Sequence, residues 1–286
     1  MTGHRPCRSI LNFLFPYGSC SLCGADSAGG PAPGLCRSCW RERERMPPLA
    51  CPICGLPLPP VEGQEIHVCG ACLSDPPPYE SHASAFTYRG PVRSLLLLYK
   101  ERRRYPLAPL LARALVRAVA RRWPQEEWDL VVGVPSPLRR VMVRGFEPAG
   151  LLAAHAARRM GLPHRRFLRL RRAPRTQKGL SAAARQRNLS GAFIADPRVR
   201  GLRVLLVDDI RTTGATLREA SRALRRAGAR VHCATVATTL PRRLDLMEGE
   251  PGEGPSQEPA RDPIPEGPRP ATSSAGPGCG PGRCPP

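Results

Sequence analysis

The chain has 286 residues and a formal net charge of +21 at pH 7, from 44 Lys and Arg against 23 Asp and Glu. This length is sufficient for one or two domains with a buried core. No apolar run approaches the roughly 18 residues of a membrane-spanning helix, and the apolar run 10–15 is shorter than that of a secretory signal. We therefore expect a soluble, cytoplasmic protein without membrane insertion.

The positive charge comes almost wholly from arginine, since Lys100 and Lys178 are the only lysines. Two interpretations stay open. The arginines form an electrostatic surface for nucleic acid or phosphorylated ligands, or they reflect a compositional bias on ordinary solvated faces. Because they are spread along the chain, composition alone does not decide between the two.

Two cysteine motifs occupy the N-terminal region, C-x2-C-x12-C-x2-C followed by C-x2-C-x14-C-x2-C. The first contains Cys20, Cys23, Cys36 and Cys39, and the second contains Cys51, Cys54, Cys69 and Cys72. Each set can complete a tetrahedral four-thiolate shell, which leaves no open position for catalysis. The alternative is four disulfides in a secreted module, which the missing signal sequence disfavours. We predict two structural Zn²⁺ ions in a double zinc-ribbon domain of residues 1–78.

The remaining chain alternates strand and helix patterns, which is typical of an α/β domain with a parallel sheet. A proline-rich linker at 75–78 is followed by a predicted strand over 83–88 and helices over 91–99 and 107–122. Next come a buried strand over 129–135, an arginine-containing loop over 136–144, a helix over 148–160 and a short strand over 167–170. A last strand is predicted over 231–238. We assign this domain to residues 79–246, and a disordered tail rich in Pro, Gly, Glu and Ser to residues 247–286.

The stretch 204–217 has the pattern of a ligand site. The apolar residues 204–207 predict a buried strand, Asp208 and Asp209 follow where we place its end, and a helix is predicted over 217–228. Between them Thr212, Thr213, Gly214, Ala215 and Thr216 form a small-residue turn whose amides and hydroxyls suit a phosphate. The carboxylates suit sugar hydroxyls. The alternative is a turn whose threonines only cap the helix.

This stretch resembles the phosphoribosyl-diphosphate (PRPP) motif of the type I phosphoribosyltransferases. Other segments resemble the ComF family, competence-associated proteins that pair a zinc ribbon with a phosphoribosyltransferase domain. These segments are Val134-Pro135 with Arg139, Arg140 and Arg144-Gly145-Phe146; Thr176-Gln177 with Gly179-Leu180-Ser181; and Arg185-Gln186-Arg187-Asn188-Leu189 with Gly191-Ala192-Phe193. The resemblance implies a type I phosphoribosyltransferase-like parallel sheet with helices on both faces, preceded by the small zinc-ribbon domain.

The resemblance also implies a chemistry. Asp208 and Asp209 would hold the ribose hydroxyls and stabilise positive charge on the ribose, and residues 212–216 would anchor the 5′-phosphate. Arg139, Arg140 or Arg144, together with Mg²⁺, would stabilise the departing diphosphate, and segment 171–188 would close as a flap. One departure is clear: where the family commonly has Arg-Gly-Phe-Asn-Gln, this chain has Arg144-Gly145-Phe146-Glu147-Pro148.

Three functional hypotheses follow for a protein linked to DNA uptake. The first is a phosphoribosyltransferase that binds PRPP with Mg²⁺ and acts on an acceptor that the sequence does not identify. The second is a non-catalytic accessory that binds single-stranded DNA, which the low aromatic content of 5% disfavours. The third is a scaffold whose ribbons dock a partner such as a competence helicase.

Overall fold

The computed structural model describes residues 18–59, 67–172 and 188–240, all within the compact unit Met1–Leu246. The centre is a parallel sheet of four strands, β1 (Ser81–Thr87), β2 (Leu130–Gly133), β5 (Arg203–Arg211) and β6 (Arg230–Thr238). Their order across the sheet is β1-β6-β5-β2. A separate antiparallel pair joins β3 (Leu168–Leu170) to β4 (Phe193–Ala195). The predicted flap lies almost wholly outside the described residues, and the predicted tail lies wholly outside them.

Helices cover both faces of the sheet. Two short helices, α1 (Arg37–Arg41) and α2 (Gly70–Ser74), belong to the cysteine-rich region. The others are α3 (Gly90–Glu101), α4 (Ala108–Arg122), α5 (Leu138–Arg144), α6 (Pro148–Met160) and α7 (Ala215–Arg226), with 3₁₀ turns at Tyr105–Leu107 and Pro197–Val199. Helices α4 and α6 enclose one hydrophobic core with the sheet, and α7 encloses a second one on the opposite face. The predicted α/β class and the parallel sheet are confirmed.

Two local predictions, for the end of β5 and for residues 136–144, are wrong. We expected strand β5 to end before the carboxylates, but it continues to Arg211, because β6 still pairs with it there in the register Asp208 with Thr235 and Arg211 with Thr238. We expected a loop over 136–144, but most of it forms α5. This helix has seven residues, fewer than the roughly 11 over which a helical period can be recognised in a sequence.

The cysteine-rich region packs directly on the sheet. The amide of Met46 donates to Ala85 O at 3.4 Å and the amide of Thr87 donates to Glu44 O at 3.2 Å, so this segment covers the outer edge of β1. Trp40 meets Phe86 edge to face, with ring centroids 5.6 Å apart. This covering removes an exposed strand edge, a common site of unwanted pairing.

Within the described ranges, no helix combines the length and the apolarity needed to cross a membrane.

Candidate functional site

A cavity of about 360 Å³ opens where β2 and β5 end, at the carboxyl edge of the parallel sheet. Ligands bind at this edge in open α/β sheets. Its charged lining residues and its serine and threonines come from five different places in the chain: Lys100, Ser136, Arg140, Arg144, Asp208, Asp209, Thr212 and Thr216. The structure therefore brings both predicted carboxylates, two of the three predicted arginines and part of the predicted turn to one cavity.

Asp209 is held by an ion pair that we did not predict. Lys100 Nζ lies 2.9 and 3.0 Å from the two carboxylate oxygens of Asp209, whose side chain is only 7% exposed. Burial alone would lower the pKa of Lys100, but the neighbouring Asp209 and Asp208 reverse this effect and raise it. Lys100 therefore stays charged and balances one of the two carboxylates.

Among the described residues, Asp208 forms no ion pair of its own. Burial, followed by the negative charge of Asp209, raises the pKa of Asp208 well above its usual range, although Lys100 and the Asp209 amide act in the opposite direction. That amide donates to Asp208 Oδ1 at 2.8 Å. When Asp208 is ionised as well as Asp209, the pair holds one more negative charge than Lys100 neutralises, so hydroxyl donors or a positively charged ligand group would favour the ionised form.

The position of Lys100 follows from the packing of α3. Leu96 and Tyr99 are fully buried on its inner face. The Tyr99 hydroxyl donates to Pro148 O at 2.8 Å, and its ring meets Phe146 edge to face at 5.3 Å. Lys100 occupies a position where the ComF family usually has a lysine after an apolar helix, but sequence reasoning assigned it no role.

The predicted phosphate turn divides into two functions. Thr212 and Thr216 line the cavity. Thr213 does not line the cavity, and its Oγ1 accepts a hydrogen bond from the Ala215 amide at 3.4 Å, beside Gly214, the N-cap of α7. Gly214 has φ +78°, a left-handed conformation that favours glycine, and a Cβ there would lie 3.2 Å from Arg211 Nε. A glycine at position 214 therefore allows the turn to pass close to Arg211 and leaves the backbone at the start of α7 accessible to a ligand.

The three predicted arginines are placed differently. Arg140 and Arg144 line the cavity, whereas Arg139 is exposed on α5 and does not line it. Arg144 forms an ion pair with Glu101 at 2.6 Å. Arg140 has no ion pair within the described ranges and is the arginine most available to an anionic ligand.

Glu147 replaces the family's asparagine and has a clear structural role. Its Oε1 accepts the amide of Ser136 at 2.9 Å, which ties the segment after β2 to the start of α6. Pro148 occupies the first turn of α6, where its missing N–H costs no hydrogen bond. The departure from the family pattern therefore leaves the backbone around the cavity anchored.

The cavity lining also contains large apolar and aromatic side chains. Leu170, Leu189 and Phe193 come from the β3–β4 region, and Tyr88 follows β1. Leu189 and Phe193 belong to segments that resemble the ComF family, and Leu170 to the predicted strand 167–170, but sequence reasoning assigned none of them to the site. They offer a surface for an apolar face of a second ligand next to the carboxylates.

The eight predicted metal ligands form two separate clusters. In each, the four Sγ atoms lie within 4.8 Å of one another. Cys23 and Cys36 Sγ are 3.7 Å apart, and Cys54 and Cys69 Sγ are 3.6 Å apart. Zn–S bonds of about 2.3 Å place tetrahedral sulfurs roughly 3.8 Å apart, so both clusters fit Zn²⁺.

One thiol in each cluster is readily ionised. Burial raises the pKa of both, but backbone amides that donate to the sulfur outweigh it and lower the pKa of Cys20 to about 6 and that of Cys51 to about 7. Thiolates are the form that binds zinc. The clusters and the cavity described above use different residues, so the metal sites are structural supports.

Comparisons with known proteins agree with this division. Residues 113–248 match the phosphoribosyl transferase domain family, and residues 10–73 match the double zinc ribbon domain family. The "DNA utilization protein YhgH" of Salmonella typhi is 38% identical over 201 residues, covering 68% of this chain and 86% of that protein. The "Competence protein F" of Haemophilus influenzae is 32% identical over 202 residues, again covering 68% and 86%.

Among solved structures, a glutamine PRPP amidotransferase from B. subtilis is 29% identical in sequence with a TM-score of 0.33. The similarity covers 45% of this chain and 26% of that chain, so it spans about a quarter of that enzyme. Because the two family matches together reach from the first cysteine motif to the end of the sheet, and because the relatives carry competence and DNA-utilization names, this chain belongs to the ComF family, with a double zinc ribbon followed by a phosphoribosyltransferase domain.

Proposed function

We propose that the cavity binds PRPP with Mg²⁺ and that the protein transfers the phosphoribosyl group to an acceptor. The observation that carries this proposal is the arrangement of Asp208, Asp209 and Lys100 beside Thr212 and Thr216. The carboxylates, which suit sugar hydroxyls, and the turn, which suits a phosphate, lie close together at the end of strand β5. We place this activity in the cytoplasm, because the cysteine clusters need thiols that stay reduced. We expect the activity to serve the use of incoming DNA.

We assign the 5′-phosphate and the ribose of PRPP to different parts of the cavity. The 5′-phosphate would accept hydrogen bonds from Thr212 and Thr216 and from the first amides of α7, whose dipole favours a negative charge. The ribose hydroxyls would donate to Asp208 and Asp209. Lys100 keeps Asp209 oriented before the ligand arrives, so less reorganisation is needed on binding.

The diphosphate would lie toward α5. Arg140 lines the cavity without an ion pair among the described residues, and a guanidinium donates well to phosphate oxygens. Asp208 would help to hold Mg²⁺, whose charge would offset that of the diphosphate. Because burial and then Asp209 raise the pKa of Asp208, a cation bound here would lower that pKa and favour the ionised carboxylate.

In the transfer step, the bond between the anomeric carbon and the diphosphate oxygen breaks while a bond to the acceptor nucleophile forms. Positive charge develops on the ribose ring, and the adjacent carboxylates favour it electrostatically. The acceptor would enter along the apolar side formed by Leu170, Leu189 and Phe193.

Calorimetric titration of PRPP with Mg²⁺ into the zinc-loaded protein tests the proposal. We expect saturable one-site binding that is lost in an Asp208→Asn/Asp209→Asn double variant. An Asp196→Asn variant, which removes a carboxylate outside the cavity lining, is the matched control and should bind as the unmodified chain does. Failure of the folded, zinc-loaded chain to bind PRPP would refute the proposal.

A further inference from the structure

A row of arginines follows the outer face of helix α4. Arg113, Arg117 and Arg121 are spaced four residues apart, so they lie on one side of the helix and repeat about every 6 Å along it. The opposite side is buried, with Leu111 and Leu115 fully inside the core. The three guanidinium groups therefore form a linear array of positive charge with no role in the packing of the core.

The first ribbon brings two more arginines to the same place. Arg43 and Arg45 line, together with the α4 row, a cleft of about 80 Å³ whose apolar walls include Trp40. The Arg43 guanidinium lies 4.3 Å from the centroid of the Trp40 ring. We call the surface formed by Trp40, Arg43, Arg45, Arg113, Arg117 and Arg121 the arginine groove.

The charge of the arginine groove is not balanced. Across residues 18–59, 67–172 and 188–240, none of its five arginines forms an ion pair, whereas arginines elsewhere do, including Arg203 with Asp129 and Arg230 with Glu80. The two acidic residues next to Arg43 in sequence, Glu42 and Glu44, accept hydrogen bonds from Ser38 Oγ at 3.2 Å and from Thr87 Oγ1 at 2.6 Å. Burial, and then the charges of Arg45 and Arg117, lowers the pKa of Arg43. Arg45 and Arg117 therefore add like charge beside a partly buried guanidinium, an arrangement that an anionic ligand would stabilise.

The groove continues into a larger cavity. Arg121 also lines a space of about 440 Å³ whose walls include Pro47, Pro48, Ala83 and Arg122. The continuous surface thus combines a row of cations with apolar recesses large enough for a flat ring. It shares none of its residues with the carboxylate cavity.

We propose that the arginine groove binds single-stranded nucleic acid. Phosphates of the backbone would follow the row Arg113, Arg117 and Arg121, and bases would enter the recesses beside Trp40 and the proline pair. A single phosphate ligand would need one or two of these guanidinium groups, so the length of the row favours a polyanion. An acidic protein segment supplies charge but not the flat rings that the recesses accept.

Fluorescence anisotropy with a labelled oligothymidylate of about 20 nucleotides tests this proposal on the full zinc-loaded chain. We expect affinity to fall with salt, since each phosphate contact releases counterions. An Arg113→Gln/Arg117→Gln/Arg121→Gln variant should bind at least tenfold more weakly. Its salt slope should shrink by about 2, the value for three lost contacts to a single strand.

A matched variant, Arg159→Gln/Arg225→Gln/Arg226→Gln, removes the same charge from exposed positions at the ends of α6 and α7. It should retain the affinity and most of the salt slope. Equal weakening in both variants would overturn the proposal, since binding would then follow net charge alone. Poly-L-glutamate that displaced the oligonucleotide at equal charge concentration would also overturn it, in favour of an acidic protein partner. Circular dichroism and zinc content confirm that each variant is folded.

Discussion

The ion pair between Lys100 and Asp209 joins the end of α3 to strand β5, and it is mostly shielded from solvent. Removing one partner of such a pair leaves an uncompensated charge, which costs more than the pair itself contributes. We expect Lys100→Met to reduce the free energy of unfolding by about 2 to 4 kcal/mol, less than for a fully buried pair because Lys100 is 23% exposed. Urea denaturation measures this loss.

The double variant Lys100→Met/Asp209→Asn provides the control. It removes both charges and should recover most of the lost stability, whereas Lys100→Arg should retain it in part. If the double variant were as unstable as the sum of the two single variants, the two side chains would not interact and the assignment of Lys100 would be wrong.

The raised pKa of Asp208 predicts an unusual pH dependence of the protein's stability. Its pKa is raised in the folded state, so the folded protein loses stability as the pH rises from the ordinary aspartate value of about 3.9 through the raised value. Asp208→Asn should therefore raise Tm at pH 8 by about 2 to 4 °C, the shift that about 1 kcal/mol produces in a chain of this size, and the gain should shrink toward pH 5. Thermal denaturation with zinc present, from pH 5 to 8.5, measures it.

The matched control, Asp129→Asn, should change Tm in the opposite direction. Hydrogen bonds from the Arg203 side chain and amide lower the pKa of Asp129, so Asp129→Asn should lower Tm at pH 8. Equal shifts in the two variants, or a gain for Asp208→Asn that does not change with pH, would contradict the account of the carboxylate pair.

The sequence located Asp208 but not Lys100, for a physical reason. Asp208 and Asp209 lie next to the turn with which they act, so a local pattern contains them. Lys100 reaches Asp209 from 109 residues away, across the junction of α3 and β5. Such a contact depends on how two elements pack, which no local spacing records.

At the scale of elements, the turn before α7 depends on its glycine. Gly214 and Gly201 have nearly the same φ, +78° and +76°, but only Gly214 has a neighbour, Arg211, that an added Cβ would meet. Each Gly→Ala substitution should reduce stability by roughly 1 to 2 kcal/mol, the cost of a left-handed conformation for an L-residue. Only Gly214→Ala should also weaken PRPP binding, since it displaces the turn.

Chemical denaturation and calorimetric titration separate these two effects. Unchanged PRPP affinity in Gly214→Ala would show that the turn does not contact the ligand. An equal loss of affinity in Gly201→Ala would show that the effect arises from general destabilisation.

Elements with an amphipathic pattern were predicted closely. Helix α6 begins at Pro148 and ends at Met160 as expected, since its buried alanines and leucines repeat with the helical period. Helix α5 was missed because its seven residues are too few to show a helical period in the sequence. Its apolar residues Leu138, Met142 and Val143 are exposed in the structure. The structure shows, as the sequence could not, that this helix lies beside the cavity with apolar side chains exposed.

At the scale of the whole molecule, the ribbons and the sheet share their packing. The first hydrophobic core includes Cys20, Leu35 and Cys39 together with Leu95 and Leu115. The second ribbon is held by hydrogen bonds from Ser81 Oγ to Pro52 O at 2.6 Å and from Arg122 to Cys51 O at 3.1 Å. The sequence predicted each part separately. Their docking, and with it the arginine groove, combines surfaces that are far apart in the chain.

This shared packing predicts that zinc stabilises more than the ribbons. Because removing the metal should unfold the ribbons and uncover the edge of β1, we expect chelation to lower Tm of the whole chain by about 10 °C or more within one cooperative transition. Cys54→Ser should bind one zinc ion rather than two and show a smaller decrease, while Cys233→Ser, outside both clusters, should still bind two. Calorimetric scans with zinc analysis test this. Two transitions, the upper one insensitive to chelator, would show instead that the predicted boundary after residue 78 separates independently folding domains.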